Sequence, residues 1–137
     1  MELKMTFILV VGYYYLFEDE YLQGLVFSEY GELKNHTLKT LSSGRYEPLE
    51  YYTLNKLLND FKDNNIHFLN DSTFKIFSNE SRFIENFTNT PHFKDGLSKK
   101  YYNKILKFQA NNNLKFQYHY LNNGLYHIIS NNVSIPD

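Results

Sequence analysis

From Thr6 to Phe17 the chain runs TFILVVGYYYLF, an apolar stretch rich in β-branched and aromatic residues, and this pattern predicts a buried strand. The polar turn EDE follows. YLQGLVFSEY (Tyr21 to Tyr30) predicts a second strand with Gly24 as a bulge, and after a turn at Tyr30-Gly31 LKNHTLKTLS predicts a third. Three strands joined this closely predict an antiparallel meander. SSGRYEP then reads as a loop, with Pro48 placed in the first turn of a helix where its missing N–H costs nothing. Leu54, Leu57, Leu58 and Phe61 recur at three- and four-residue steps and mark that helix, which KDNN (Lys62 to Asn65) closes. IHFL (Ile66 to Leu69) reads as a short buried strand stopping at Asn70-Asp71. Phe74, Phe77, Phe83, Ile84 and Phe87 predict a second helix over Ser72 to Phe87, broken near Ser78-Asn79. Ser98 is a candidate N-cap for a helix reaching Ala110. LKFQYHYL alternates as a strand, Asn123-Gly124 signals a hairpin, and LYHIIS reads as a returning strand. The expected class is α/β (α+β): a mixed sheet, three antiparallel strands followed by β-α-β elements, with helices packed on it.

Composition narrows the class without naming a chemistry. At 137 residues the chain fits a single domain spanning 1–137, long enough to bury about two-thirds of its unfolded surface. It has no cysteine, which removes disulfides and thiolate sites from consideration and fits a reducing compartment. The run Phe7 to Phe17 is shorter than the roughly 20 residues needed to span a bilayer, and it has no small-residue cleavage site. The reading is a soluble cytoplasmic protein with no membrane partner. No pair of histidines has metal-ligand spacing, and neither a glycine-rich phosphate loop nor a Ser-His-Asp elbow is present.

Charge changes the picture more than composition does. The net charge is −1, but Met1 to Asn70 holds six Lys/Arg against ten Asp/Glu and Asp71 to Asp137 eight against five. Most of the basic surface lies in SKKYYNKILKFQANNNLK, where Lys99, Lys100, Lys104, Lys107 and Lys115 interleave with Tyr101, Tyr102 and Phe108. Such a stretch can supply phosphate contacts, with Tyr102 as a stacking partner. The same residues also suit the solvated face of an amphipathic helix whose Tyr101, Ile105 and Phe108 turn inward.

Two carboxylates bracket the helix and the short strand after it. Glu50 lies in the first helical turn, favoured there by the macrodipole at about 0.3–1 kcal/mol. Asp71-Ser72 has the composition of a helix N-cap, typically worth about 1 kcal/mol. His67, inside IHFL, reads as a core histidine.

EYYTLNKLL, opened by Glu50, and HFLNDST, closed by Asp71-Ser72, together resemble the ribonuclease H-like superfamily. Three meandering strands, a helix led by Glu, a strand ended by Asp-Ser, a further helix and one more strand resemble its order of elements. Glu47 is a competing equivalent, but Glu50 sets Leu54, Leu57, Leu58 and Phe61 at +4, +7, +8 and +11 on one stripe. The resemblance implies that Glu50 and Asp71 meet at one edge of the sheet as catalytic residues and ligands to Mg²⁺ or Mn²⁺, hard ions that take oxygen donors and drive phosphodiester cleavage. It also implies RNA–DNA hybrid or structured RNA as the partner. The chain departs from the family at its first strand, where the expected Asp falls near Gly12 or Tyr13. Glu18, Asp19 and Glu20 lie too far along, in the expected turn. His119 or His127 can imitate the family's C-terminal histidine, whereas nothing imitates its last acidic helix, since Asp137 ends the sequence. Two carboxylates are too few for two divalent ions, so the expectation is a degenerate member without a complete nuclease site.

Three functional readings follow. The first is a nucleic-acid-binding module that tracks a phosphate backbone with Lys99 to Lys115. The second is a protein-interaction module, such as an accessory or inhibitor protein of a mobile element, contacting its partner through exposed tyrosines. The third is a weak Mg²⁺- or Mn²⁺-dependent ribonuclease.

Overall fold

The computed structural model describes residues 5–28, 31–40, 44–69 and 71–122, without the side chains of 31–35 and 64–69. The hairpin expected at Asn123-Gly124, the strand expected after it, His127 and Asp137 lie outside the described residues, as does the side chain of His67. The elements run β1 (Thr6–Leu16), β2 (Asp19–Ser28), β3 (Gly31–Lys39), α1 (Glu47–Leu69), β4 (Thr73–Ser78), α2 (Ser81–Thr88), α3 (Gly96–Asn111) and β5 (Lys115–Tyr120). The described residues form a five-stranded sheet in the order β3-β2-β1-β4-β5. The first three strands pair antiparallel as the sequence predicts, while β4 joins β1, and β5 joins β4, in parallel. The mixed α+β architecture is the expected one.

β1 reads as a continuous apolar run because both of its faces are covered. Phe7, Leu9, Val11 and Tyr13 alternate into the main core, with Leu54, Leu57, Leu58 and Phe61 of α1, while Val10 and Tyr14 join Leu25 and Leu121 in a second cluster. The helical stripe is therefore the seam between α1 and the sheet. Each of its buried leucines contributes roughly 1.5–3 kcal/mol relative to exposure. Phe7, Phe61 and Phe74 meet at ring separations of 4.5 to 5.6 Å where α1, β1 and β4 converge.

Three expectations need correction. IHFL is the last turn of α1, not a strand: KDNN contains neither Gly nor Pro, and its polar residues lower helix propensity too little to break a packed helix. The fourth strand is instead TFKIFS, within the segment expected to be helical, and its strict alternation buries Phe74, Ile76 and Ser78. The following helix, α2, starts beyond Glu80, whose extended backbone and side chain, accepting from Arg82 N, form its N-cap. Likewise Asp95, not Ser98, caps α3 by accepting from Leu97 N at 2.8 Å, and Ser98 is buried inside the helix.

Gly24 is not a bulge either. The register shift between β2 and β3 falls at Val26/Phe27. A Cβ on Gly24 would lie 2.7 Å from both Leu57 Cδ1 and Thr53 Cγ2, so the glycine is what lets α1 seat directly on β2. Gly24→Ala is expected to force α1 off the sheet and lower stability by about 1–3 kcal/mol, the usual cost of overpacking. Urea unfolding against wild type measures it, and an unchanged midpoint would show that the helix gives way freely.

Candidate functional site

The C-terminal ends of β1 and β4 and the start of α1 meet at one edge of the sheet. The β1–β4 backbone ladder ends at the pair Val10–Phe77, and beyond it a side chain carries the pairing on. Tyr13 N donates to Asn79 Oδ1 at 2.9 Å, and Asn79 Nδ2 donates to Tyr13 O at 2.7 Å. One amide thus supplies the donor and acceptor that another strand residue would have provided. It fixes Tyr13 so that the phenol points toward α1, where Tyr13 Oη donates to Glu50 Oε2 in a buried hydrogen bond.

Glu50 is 6 % exposed, although it stands in a helical first turn where carboxylates are ordinarily solvated. Burial pushes its carboxyl up from 4.5 to about 8; the Tyr13 hydroxyl and Arg45 pull the other way, and Glu80 and Glu47 add to the rise. The phenol of Tyr13 is also raised, first by burial and then by Glu50. Around neutral pH this pair is therefore a largely neutral hydrogen-bonded unit.

Above it lies a guanidinium. Arg45 packs its charged carbon 4.0 Å from the centre of the Tyr13 ring. Its Nε donates to both Glu20 oxygens at 3.1 and 3.2 Å and its Nη2 to Glu20 Oε2 at 2.9 Å, while Nη1 reaches Glu80 Oε2 at 3.0 Å. Such forked, charge-assisted contacts are the strong kind. Glu20 belongs to β2, opposite Tyr15, rather than to the expected turn. Glu47 lies beside this group and accepts from Lys94 N at 2.9 Å. A cleft of about 580 Å³ opens here, and its wall mixes Arg45, Arg82 and Lys94 with Glu47, Glu80 and Glu85.

Asp71 is elsewhere. It precedes β4 with φ 64, accepts from Asn113 Nδ2, and lines a crevice with Met5, Thr73 and Lys115 where the parallel strands begin. Asn113, with φ 52, makes the same left-handed turn before β5. Short polar side chains tolerate that conformation, so Asp71 is a strand-entry turn residue and not a helix cap. Glu50 stands at the other end of β4, and about 3.3 Å per residue along that strand separates its ends by roughly 16 Å. The two carboxylates expected to converge do not.

Among the basic candidates, Lys99, Lys100, Lys104 and Lys107 are exposed on α3, and Lys115 opens β5 beside Asp71. Tyr102 turns inward instead, 5.0 Å from the rings of both Phe87 and Phe93 and 6.4 Å from Tyr51, because its position on α3 faces the aromatic core. Its ring is partly buried by these neighbours.

Neither a family model nor a curated protein matches the chain at the level of sequence. Solved structures do match. LC11-RNase H1, isolated from compost and solved with an RNA/DNA hybrid, is 12 % identical, with 86 % of each chain covered and a TM-score of 0.67. The RNase H domain of a Mycobacterium tuberculosis protein is 11 % identical over 88 % of this chain and 85 % of that one, with a TM-score of 0.63. RNase H1 from Halobacterium salinarum is 10 % identical over 87 % of each, with a TM-score of 0.61. The chain has the ribonuclease H-like fold.

In the ribonuclease H-like arrangement set out above, carboxylates are expected on the first strand, on the first helix and at the end of the fourth strand. These positions hold Tyr13, Glu50 and Ser78-Asn79-Glu80. The donor set does not fit a pair of divalent ions. Mg²⁺ and Mn²⁺ need charged, hard oxygens free to coordinate, whereas Glu50 is buried against the Tyr13 hydroxyl and Glu20 and Glu80 are both engaged by Arg45. Among the described residues, no group of three or more His, Asp or Glu is placed to hold a metal ion. Sequence reasoning missed Glu20, Arg45, Asn79 and Glu80, all brought here by pairings distant in the chain. The alternation of TFKIFS, stopping at a polar Ser-Asn-Glu-Ser, was the available signal for Asn79 and Glu80.

Because folding raises the Glu50 carboxyl from 4.5 to about 8, the folded state binds the extra proton between those values. The linkage then has a definite sign: this contribution to stability is complete below the lower value and is lost as pH climbs to the upper. Glu50→Gln is expected to flatten that part of the stability–pH profile. Tyr13→Phe, which removes the donor favouring the ionised carboxyl, is expected to extend the fall to higher pH and to cost about 1–3 kcal/mol. Thermal unfolding from pH 4 to 9 reads both, and parallel wild-type and Glu50→Gln profiles would rule out the assignment.

Proposed function

We propose that the protein is a nucleic-acid-binding module of ribonuclease H-like fold that lacks a working two-metal nuclease site. The Tyr13–Glu50 hydrogen bond under the Arg45 guanidinium carries the reading, because it fills with neutral and internally paired groups the edge where phosphodiester cleavage needs free carboxylates. The exposed lysines of α3, Lys99, Lys100, Lys104 and Lys107, together with Lys115, are the proposed phosphate contacts. A solved structure of similar fold carries an RNA/DNA hybrid, which supports that ligand class. Binding here is electrostatic, sequence-independent and salt-sensitive.

A labelled RNA–DNA hybrid is expected to bind at low salt and to be released as salt rises, and to stay intact when Mn²⁺ is added. Absence of binding at low salt would remove the proposal. Cleavage abolished by Glu50→Gln would restore an enzymatic reading. Tyr13→Asp combined with Arg45→Ala exposes an acidic edge, and calorimetry is expected to detect Mn²⁺ binding to that variant and none to wild type.

One observation favours a protein partner as a second reading. The β1–β2 turn presents Tyr15, Leu16 and Phe17 at 60, 42 and 94 % exposure, with Phe17 held at φ 57. A projecting aromatic tip of this kind suits an interface anchor. Capture of one stoichiometric protein that is lost on Phe17→Ser supports this reading, and equal capture by both forms discards it.

A further inference from the structure

The outer face of α1 carries a feature that the basic stretch of α3 does not explain by itself. Glu50 points into the sheet. At 100° per residue, Asn59 lies half a turn away from it, and Tyr52 and Lys56 lie close to that outward direction. There α1 packs against α3, and a groove of about 520 Å³ runs between them. Lys56 and Lys62 line it from α1, Lys104 and Lys107 from α3. Asp60 is the one acidic side chain in the lining and is bridged by Lys56 at 3.4 Å. Four cations against one anion is a marked local excess in a chain of net charge −1.

Two of the cations are held in place from below. Lys62 Nζ lies 5.8 Å from the centre of the Phe108 ring and Lys104 Nζ 5.5 Å from that of Tyr101, which anchors both ammonium groups at the groove by cation–π attraction. Tyr101 is itself braced edge-on by Tyr52 at 5.5 Å across the helix pair. Asn55, Asn59, Asn111 and Asn112 add amides to the lining, of which Asn59 and Asn112 already donate to Asn55 and to Phe108 O. Along α3, Lys104 and Lys107 are about 4.5 Å apart in axial rise, and along α1, Lys56 and Lys62 about 9 Å. Paired cationic rims around a polar floor suit one phosphodiester strand running along the groove. A single bound anion would not engage both rims over that length.

We infer that the α1–α3 groove is a binding site for the sugar-phosphate backbone of a single RNA or DNA strand, separate from the Glu50 edge. The inference deepens the nucleic-acid reading and rests on it: it adds Lys56 and Lys62 of α1 to Lys104 and Lys107 and places the strand between the two helices. Strong selectivity between bases is not expected, since the lining is dominated by charges and amides, and its half-buried ring, Tyr52, could stack on any base.

The test uses a fluorescein-labelled single strand of twelve mixed-sequence nucleotides and anisotropy across salt concentrations. Wild type is compared with a groove variant, Lys62→Glu with Lys104→Glu, and an edge variant, Arg82→Glu with Lys94→Glu. Four phosphate contacts predict a slope of log K against log salt near −3, and the groove variant is expected to lose about half of it and to bind at least about tenfold more weakly. The edge variant is expected to keep both slope and affinity within about twofold. If the edge variant loses affinity and the groove variant does not, the groove assignment falls and the nucleic-acid reading stands. If wild type binds no strand and no hybrid at low salt, both fall. Lys62→Gln with Lys104→Gln, and photocrosslinking of a thiouridine-substituted strand to wild type, guard against a misfolded charge-reversal variant. Crosslinks within 52–62 and 104–112 support the site, and crosslinks confined to 45–50 and 80–95 overturn it.

Discussion

A carboxyl group removed from water must be neutralised, paired or protonated, and the arrangement of this molecule's sheet edge follows from how Glu50 meets that demand. The seam of Leu54, Leu57, Leu58 and Phe61 sets α1 tightly on β1 and β2, and Gly24 lets it approach. That seating brings the first turn of α1 over the end of β1 and leaves Glu50 only slight access to water, at the floor of the cleft. Tyr13 then supplies a hydroxyl, and Asn79 supplies the backbone-like clamp that keeps Tyr13 in register after the β1–β4 ladder has ended. Remove any one of these and the buried carboxyl is left with an unmet requirement.

The same logic explains Arg45. Glu20 on β2 and Glu80 at the start of α2 approach the edge from opposite sides, and without a cation they would repel each other and the Glu50 carboxyl. One guanidinium answers both, with its planar face on the Tyr13 ring. A divalent ion could screen the same carboxylates, but it would have to displace a forked arginine already in place and deprotonate Glu50. At this edge the polar side chains are thus largely paired with one another.

Much of the architecture was legible because it rests on local pattern. The meander, the start and stripe of α1, the basic helix α3 and the strand β5 all show their period in the sequence. The gap at the first strand was also visible, at Gly12 and Tyr13. The misplaced strand had a physical cause: IHFL and TFKIFS are both short apolar runs, and periodicity alone does not distinguish a buried strand from the end of a buried helix. The error moved the end of the fourth strand from Ser78-Asn79-Glu80 to Asp71, and so put the wrong acid into the site. The Arg45–Glu20–Glu80 cluster leaves no sequence signal, since its members lie 25 and 35 residues apart and meet only through sheet pairing and the α1 crossover.

The division of labour on α1 ties these points together. A helix packed on a sheet has an inner stripe fixed by the core and an outer stripe free to vary, and here the two carry opposite electrostatics. The inner stripe begins with a buried, protonated acid. The outer one presents Lys56 and Lys62 toward the lysines of α3. Lys56 and Lys62 each lie about a third of a turn from Glu50, so the two stripes share a backbone but not the same contacts. The groove proposed for a phosphate backbone therefore draws on side chains of α1 other than those that build the sheet edge.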